Sequence, residues 1–225
     1  MKFGSNNELK LISTGVAAHA AHPDLGVNAI TNLLITLYEV FDNYGVHYSM
    51  LDFFNKFINS DLNGGLLGIN FPDESGTLTL NVAQISLENN KIKIGMNLRI
   101  PIKTPISSVE NIFLDKITSF NTSYSEINAL HVSFSDQKDS LYIPKDNRLI
   151  KTLCGIYNEV TNQNEQPIAI GGATYARAFA NTVSFGATMP NTQDLCHQAN
   201  EHIDIDTLII SCKIYAKAIY ELSKD

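Results

Sequence analysis

The segment Lys91-Ile92-Lys93-Ile94-Gly95-Met96-Asn97-Leu98-Arg99-Ile100 alternates apolar and polar residues without a break. Successive side chains of a β-strand point to opposite faces, so this pattern predicts a strand with one face on a hydrophobic core. Asn97 and Arg99 then project from the open face, where a guanidinium can pair with a carboxylate. The sequence alone leaves open a second interpretation, a solvated arginine on an exposed sheet face.

The neighbouring segments predict a sheet covered by helices. Glu88-Asn89-Asn90 is a turn-type stretch that joins this strand to residues 77–87 in a β-hairpin. Further elements are expected on either side: strands at 8–16 and 124–134, and helices at 28–42 (capped by Asn28), after Ser49 (the predicted cap), and at 106–120. Residues 1–144 are therefore predicted to be an α+β unit, a mainly antiparallel sheet with helices on one face.

The C-terminal third has a different order of elements. A helix over 147–162, a short strand over 167–170 and a terminal helix capped by Asp206 are expected. The strand is followed by Gly171-Gly172-Ala173-Thr174, the kind of loop found at the open edge of an α/β sheet. Gly172 permits close backbone approach to an anion. Arg177 either binds a substrate carboxylate or pairs with an acidic side chain, and the sequence does not decide between these.

Composition excludes several classes of function. Sixteen basic and 23 acidic residues give a net charge of −7 without a lysine or arginine cluster, which argues against nucleic-acid binding. No apolar run reaches the roughly 18 residues that span a bilayer, and the first residues lack a signal-peptide apolar region. Cys154, Cys196 and Cys212 lack metal-type spacing, so reduced thiols and a cytoplasmic location are expected.

Three histidines are of chemical interest. His19 and His22 are three residues apart, but Pro23 makes this a turn, so hydrogen-bonded loop histidines are a better interpretation than zinc ligands. His197 stands near acidic residues that lack a recognised ligand spacing. From the residues alone, His197 is either a metal ligand or an ordinary loop histidine, since a zinc site needs three or four protein ligands.

Three segments resemble PepV-like dipeptidases, the dinuclear zinc branch of the aminoacylase, succinyl-diaminopimelate desuccinylase and carboxypeptidase G superfamily. The first runs from Gly15 through His19-Ala20, Pro23 and Gly26-Val27-Asn28-Ala29, and looks like the family's lid motif. The second is Met96–Pro101, similar to the lid strand Asn-x-Arg-Tyr-Pro with Ile100 in place of tyrosine. The third combines Gly171–Arg177 with the His-x-x-Asn-Glu segment that begins at His197.

The resemblance implies roles for individual residues. His19 is expected to stabilise the oxyanion, and Arg99 with Asn97 to hold the carboxylate of the substrate. Gly172, Thr174 and Arg177 are expected as secondary substrate-binding residues. His197 is the implied zinc ligand, and Glu201 the acid that orients it.

The resemblance also implies how the chain is divided. Residues 1–144 are expected to form a ferredoxin-like lid or dimerisation domain that lacks its first segment, and residues 145–225 the C-terminal part of an α/β zinc-peptidase domain. The implied reaction is hydrolysis of a dipeptide amide bond by a water that bridges two zinc ions. This chain supplies at most one zinc ligand and no general base, so we expect it to be inactive alone.

Two kinds of partner follow from that expectation. The first is a separately encoded N-terminal half that completes the enzyme. The second is another copy of this chain, because uncovered sheet edges and apolar surface favour self-association. The alternative function is a non-catalytic binding or dimerisation module derived from the lid of a truncated peptidase.

Overall fold

The computed structural model describes residues 2–3, 9–89, 91–124, 129–186, 189, 192, 195–196 and 200–224. The chain divides into two compact units, Met1–Asp139 and Ser140–Asp225.

The strands of the first unit form two antiparallel pairs. Strand β1 (Lys2–Phe3) pairs with β2 (Leu9–Lys10), and β3 (Thr79–Glu88) pairs with β4 (Lys91–Arg99) in the predicted hairpin. The strand expected over 8–16 is wrong beyond Lys10, since the chain continues without regular structure. A single bridge between Val16 and Val27 closes the following loop.

A bulge at Ala83 sets the register of the hairpin. Val82 pairs with Met96, and the next pair is Gln84 with Gly95, so Ala83 has no partner in the ladder. One extra residue shifts the alternation of β3, and the apolar positions change from even to odd numbers. Ile85 and Leu87 consequently lie opposite Ile94 and Ile92 in the ladder.

Three helices complete the first unit: α1 (Ala29–Asn43), α2 (Ser49–Phe57) and α3 (Ile106–Asn121). The two helices predicted over 28–42 and 106–120 are confirmed to within one residue at each end. Asn28 caps α1 as predicted, because its side chain accepts hydrogen bonds from the amides of Ile30 and Thr31. The Ser49 cap is wrong, since Ser49 is already helical and Tyr48 precedes the helix without a side-chain cap bond.

The core of the first unit lies between the hairpin and these helices. It is formed by Leu34, Leu51, Phe53, Phe54, Ile58, Leu67, Ile69, Leu78, Leu80, Val82, Val109, Phe113 and Ile117. The even-numbered residues of β4 from Ile94 to Leu98 pack against it, as does Ile100, as the alternation predicts. Ile92 does not, because the end of the hairpin lies outside this core and leaves Ile92 51% exposed.

The strand predicted over 124–134 is absent from the residues described there. Residues 129–134 have no strand structure, and residues 125–128 lie outside the described part of the chain. Asn121 instead holds this segment against the end of α3, with its side chain accepting from the Leu130 amide at 2.8 Å and donating to the Leu130 carbonyl at 2.9 Å. One asparagine therefore takes the hydrogen bonds that a strand neighbour would have supplied.

The second unit is built on α4 (Arg148–Thr161) and α5 (Ile205–Leu222), which share a core of Leu153, Ile156, Ile214 and Ala218. Helix α4 confirms the prediction over 147–162. The cap of α5 is Asp204 rather than Asp206, because the Asp204 carboxylate accepts from the Thr207 amide at 2.8 Å. Residues 167–170 are not a strand, since no described segment pairs with them.

The described residues thus form a small α+β protein with an antiparallel hairpin and five α-helices. Within the described ranges, no helix combines the length and the apolar character that crossing a membrane requires.

Candidate functional site

At the end of the hairpin where β3 begins and β4 ends, the face opposite the core carries four partly buried polar side chains, here called the polar face. Thr79 pairs with Arg99 in the ladder, and Asn81 pairs with Asn97. Side chains alternate along a strand, so these four side chains lie on the face opposite to that of Leu80 and Leu98. All four are partly buried, so this polar face is not simply open to water.

Three atoms of the polar face are buried and lack a hydrogen-bond partner among the described residues: Arg99 Nε, Asn97 Oδ1 and Thr79 Oγ1. A buried polar group without a partner costs about 1–3 kcal/mol, and more when it is charged. Native proteins contain few such groups. A donor on Arg99 beside an acceptor on Asn97 fits a ligand that brings a carboxylate next to an N–H group.

Asn28 connects this face to the start of α1. Its Oδ1 atom accepts from the Ile30 and Thr31 amides at 3.0 and 3.1 Å. Its Nδ2 atom donates to Asn81 Oδ1 at 3.1 Å and to the Val82 carbonyl at 2.7 Å. The Asn28 amide therefore joins the helix N-terminus to β3, next to the bulge.

The loop that carries His19 closes beside the same strand. The Val16 and Val27 amides exchange hydrogen bonds of 2.9 Å with each other's carbonyls, which forms the base of the loop. A Cβ atom on Gly26 would lie 2.6 Å from the Val16 carbonyl oxygen, so only glycine permits this approach. The 3₁₀ turn Pro23–Leu25 within the loop contacts β3.

The orientation of His19 fixes its tautomer. The Nδ1 atom of this exposed side chain accepts a hydrogen bond from the Ala21 amide at 3.2 Å. An accepting Nδ1 carries no proton, so the neutral imidazole has its proton on Nε2. Nε2–H is the kind of donor that stabilises a developing oxyanion.

Asp73 fixes the chain that follows Arg99. Its carboxylate accepts from the Lys103 amide at 2.7 Å and from the amide and hydroxyl of Ser75 at 2.7 and 2.6 Å. Partial burial acts to raise the pKa of Asp73, but hydrogen bonds from Ser75 and Lys103 outweigh it and hold the pKa below its usual value. Sequence reasoning missed Asp73, Thr79 and Asn81, because no motif marks them and the bulge hides the register.

The site residues predicted in the second unit are more exposed. Gly172 precedes a short 3₁₀ turn, Tyr175–Ala178. Thr174 Oγ1 accepts from the Ser184 hydroxyl at 2.6 Å. Arg177 and Glu201 are exposed, and His197 lies outside the described residues.

No group of three or more histidine, cysteine, aspartate or glutamate side chains within the described ranges is arranged to hold a metal ion. These residues do not by themselves fit a zinc centre.

Comparison with known proteins adds the last observation. The profile of peptidase family M20/M25/M40 matches residues 13–221. The chain is 34% identical to "Putative dipeptidase YtjP" of Bacillus subtilis over 222 residues, which cover 97% of this chain and 45% of the relative. It is 32% identical to the Beta-Ala-Xaa dipeptidase of Lactobacillus delbrueckii subsp. lactis over 229 residues, 99% of this chain and 46% of the relative. The chain therefore spans about half the length of the curated relatives that it matches.

Proposed function

Because the chain belongs to peptidase family M20/M25/M40, we propose that it is the lid and C-terminal part of a PepV-like dipeptidase, with the lid binding the substrate carboxylate. The observation that carries the proposal is the buried, unpartnered Arg99 Nε beside Asn97 Oδ1 on the polar face of the hairpin. In this proposal residues 1–144 are the ferredoxin-like lid, and 145–225 belong to the catalytic domain.

In this proposal three residues of the first unit, Arg99, Asn97 and His19, act on the substrate. Arg99 donates to the carboxylate of the dipeptide, and Asn97 accepts from the N–H group next to that carboxylate. These contacts position the scissile amide and exclude water from the hairpin face. His19 donates from Nε2 to the carbonyl oxygen as negative charge develops on it.

The second unit supplies the remaining contacts. The Gly172 backbone, Thr174 and Arg177 are proposed to bind the substrate from the catalytic side. The family is generally metal-dependent, and zinc would activate the attacking water when it is bound. We propose His197 as one ligand of a two-zinc site and Glu201 as the acid that orients it, while the other ligands and the general base come from elsewhere.

Exposed apolar side chains of the second unit support the proposal that a further part of the enzyme covers them. Ile168, Ile170 and Phe179 are 84%, 59% and 68% exposed, although such residues are usually buried. We propose that the part of the enzyme outside these residues covers this segment and gives residues 167–170 a neighbouring strand. The isolated chain is then inactive for lack of ligands and base.

Complementation tests this proposal. The chain is co-expressed with the part of the Lactobacillus relative that it does not cover, and dipeptide hydrolysis is measured with added zinc. Hydrolysis by the pair and none by the chain alone is expected. Turnover by the chain alone would contradict the proposal.

A binding measurement keeps the lid site testable if complementation fails. N-acetylglycine offers a carboxylate beside an N–H group, so it should shift the ¹⁵Nε resonance of Arg99 in a saturable way. Acetate, which lacks the N–H group, should bind more weakly. No shift with N-acetylglycine would contradict the assignment of Arg99.

The alternative function is a lid-derived module that binds or dimerises without catalysis. The exposed apolar end of the hairpin favours it, since Leu87 is 70% and Ile92 is 51% exposed. Under this alternative, that co-expression restores no activity, and the chain forms a stable dimer through the hairpin.

A further inference from the structure

A cavity lies among the helices of the first unit, and the proposed peptidase function does not use it. Its volume is about 690 Å³, and its walls come from α1, α2, α3 and the segments next to α2 and α3. None of its lining residues belongs to the polar face of the hairpin.

Two lysines place their charges at the same wall of this cavity. Lys56 Nζ lies 5.1 Å and Lys116 Nζ 5.3 Å from the centroid of the Phe57 ring. A shared ring brings the two ammonium groups within about one Debye length, roughly 10 Å at 0.1 M salt, so they repel each other. In the described ranges, neither lysine has a carboxylate oxygen within 4.0 Å.

Local structure explains why the cations lack acidic partners. Asp52 stands four residues before Lys56, the spacing of a helical ion pair. Its Oδ2 atom instead accepts from the Tyr124 hydroxyl at 2.5 Å, and its Oδ1 atom lies 3.7 Å from His47 Nδ1. Lys116 has no acidic residue three or four positions away on α3.

The Tyr124 phenol is the hydrogen-bond donor to Asp52. Desolvation, followed by the hydrogen bond to Asp52, raises the pKa of Tyr124 to about 12, so the phenol remains a donor at neutral pH. The Asp52 carboxylate also lines this cavity, but the two ammonium groups outnumber it, so the lining side chains carry a net positive charge.

We propose that this cavity binds the phosphate group of a small ligand. A phosphate dianion carries two negative charges and three acceptor oxygens, so it can bind both ammonium groups at once, whereas a carboxylate has one charge and two oxygens. The phosphate also has enough acceptor oxygens for the hydroxyls of Ser119 and Ser123, which line the same cavity. The aromatic walls, Phe57, Phe120 and Tyr124, lower the local dielectric and strengthen each charged contact.

Titration of the full chain tests this site. Inorganic phosphate, glycerol phosphate and acetate are added at constant ionic strength, and calorimetry measures each affinity. Saturable phosphate binding at least about tenfold tighter than acetate is expected, a difference of about 1.4 kcal/mol. Tighter binding of glycerol phosphate than of inorganic phosphate would identify an organic phosphate as the ligand, and equal binding would identify free phosphate. No saturable binding, or equal affinity for acetate, would overturn the proposal.

Variants locate the binding. Lys56→Gln and Lys116→Gln should each weaken phosphate binding by about tenfold, since each removes one charge-assisted contact. The double variant Lys91→Gln, Lys93→Gln removes charge from the exposed end of the hairpin and should change the affinity less than about twofold. An equal loss in this control would mean long-range attraction only, and the proposal would fail. If a lysine variant does not fold, Ser119→Ala, at an exposed position, should still weaken binding severalfold, and unchanged affinity there would count against the site.

Discussion

The Nε atom of Arg99 is buried on one face of β4, and the other face of this strand packs on the core. In the complemented enzyme, Arg99→Gln should raise KM for a dipeptide by about 10–100-fold, since a hydrogen bond to a charged group contributes about 1.5–3 kcal/mol. Steady-state kinetics measures this change. Lys93→Gln on the same strand is the control, because Lys93 is exposed and should leave KM unchanged. An unchanged KM in Arg99→Gln would remove Arg99 from the site.

Asn28 has two roles, and comparison with a second N-cap residue separates their contributions to stability. Asn28→Ala loses the cap of α1 and both bonds to β3, so the free energy of unfolding should fall by about 2 kcal/mol. Asn147→Ala is the matched control, since Asn147 caps α4 through the Leu149 amide. Its loss should be nearer 1 kcal/mol, the usual cost of a cap. Urea unfolding measures both, and equal losses would show that the bonds to Asn81 and Val82 contribute nothing.

Tyr124 predicts how stability changes at high pH. Desolvation and the bond to Asp52 raise its folded pKa to about 12, above the value of 10.0 for an unperturbed tyrosine. The folded state therefore holds this proton more tightly, and the stabilisation present below pH 10 is lost as the pH rises from about 10 to 12. Tyr124→Phe should remove this part of the alkaline loss, as measured by urea unfolding at several pH values. An identical pH dependence in the variant would contradict the raised pKa.

The face on which a residue lies was predictable where the strand itself alternates apolar and polar residues. Asn97 and Arg99 follow from the pattern of β4, and the structure places them on the face away from the core. Thr79 did not follow, because knowing that it lies opposite Arg99 requires the register of β3. The contacts of Asn28 with β3 were also hidden, since they join residues more than 50 positions apart.

At the scale of elements, the loop between α2 and β3 contains a glycine that is packed against the core. Gly64 has a φ of +71°, and a Cβ atom there would lie 2.4 Å from Ile69 Cγ1, a side-chain atom of the core. Gly64→Ala should therefore cost about 1 kcal/mol for the left-handed backbone and about 1–3 kcal/mol more for the clash. Gly45→Ala is matched in backbone, with a φ of +66°, but meets nothing within 4 Å. Thermal unfolding should show the larger loss for Gly64→Ala, and equal losses would contradict the clash.

The predictability of an element depended on where its hydrogen bonds go. Helices satisfy their own backbone groups, and α1, α3 and α4 were located to within one residue at each end. The hairpin was equally clear, because its two strands are joined by a short turn. Residues 129–134 and 167–170 looked like strands, but no described segment pairs with them, and propensity alone does not form a ladder.

At the scale of the whole molecule, exposed apolar residues predict self-association of the isolated chain. Ile168, Ile170 and Phe179 stand in one exposed segment of the second unit. Light scattering should show oligomers, and the triple variant with serine at these three positions should shift the distribution toward monomer. Tyr44→Ser is the control, since Tyr44 is 81% exposed but stands apart in sequence from this segment. A clean monomer of the unaltered chain would contradict the prediction.

The unpaired Ala83 has a consequence for how this hairpin tolerates insertions and deletions. Deleting Ala83 would return β3 to uninterrupted two-residue periodicity and would leave Ile85 and Leu87 opposite Ile94 and Ile92. Removing two residues from the exposed end would preserve the phase. A loss of one residue should therefore be acceptable at the bulge, which gives the hairpin one position where its length can change without exchanging its two faces.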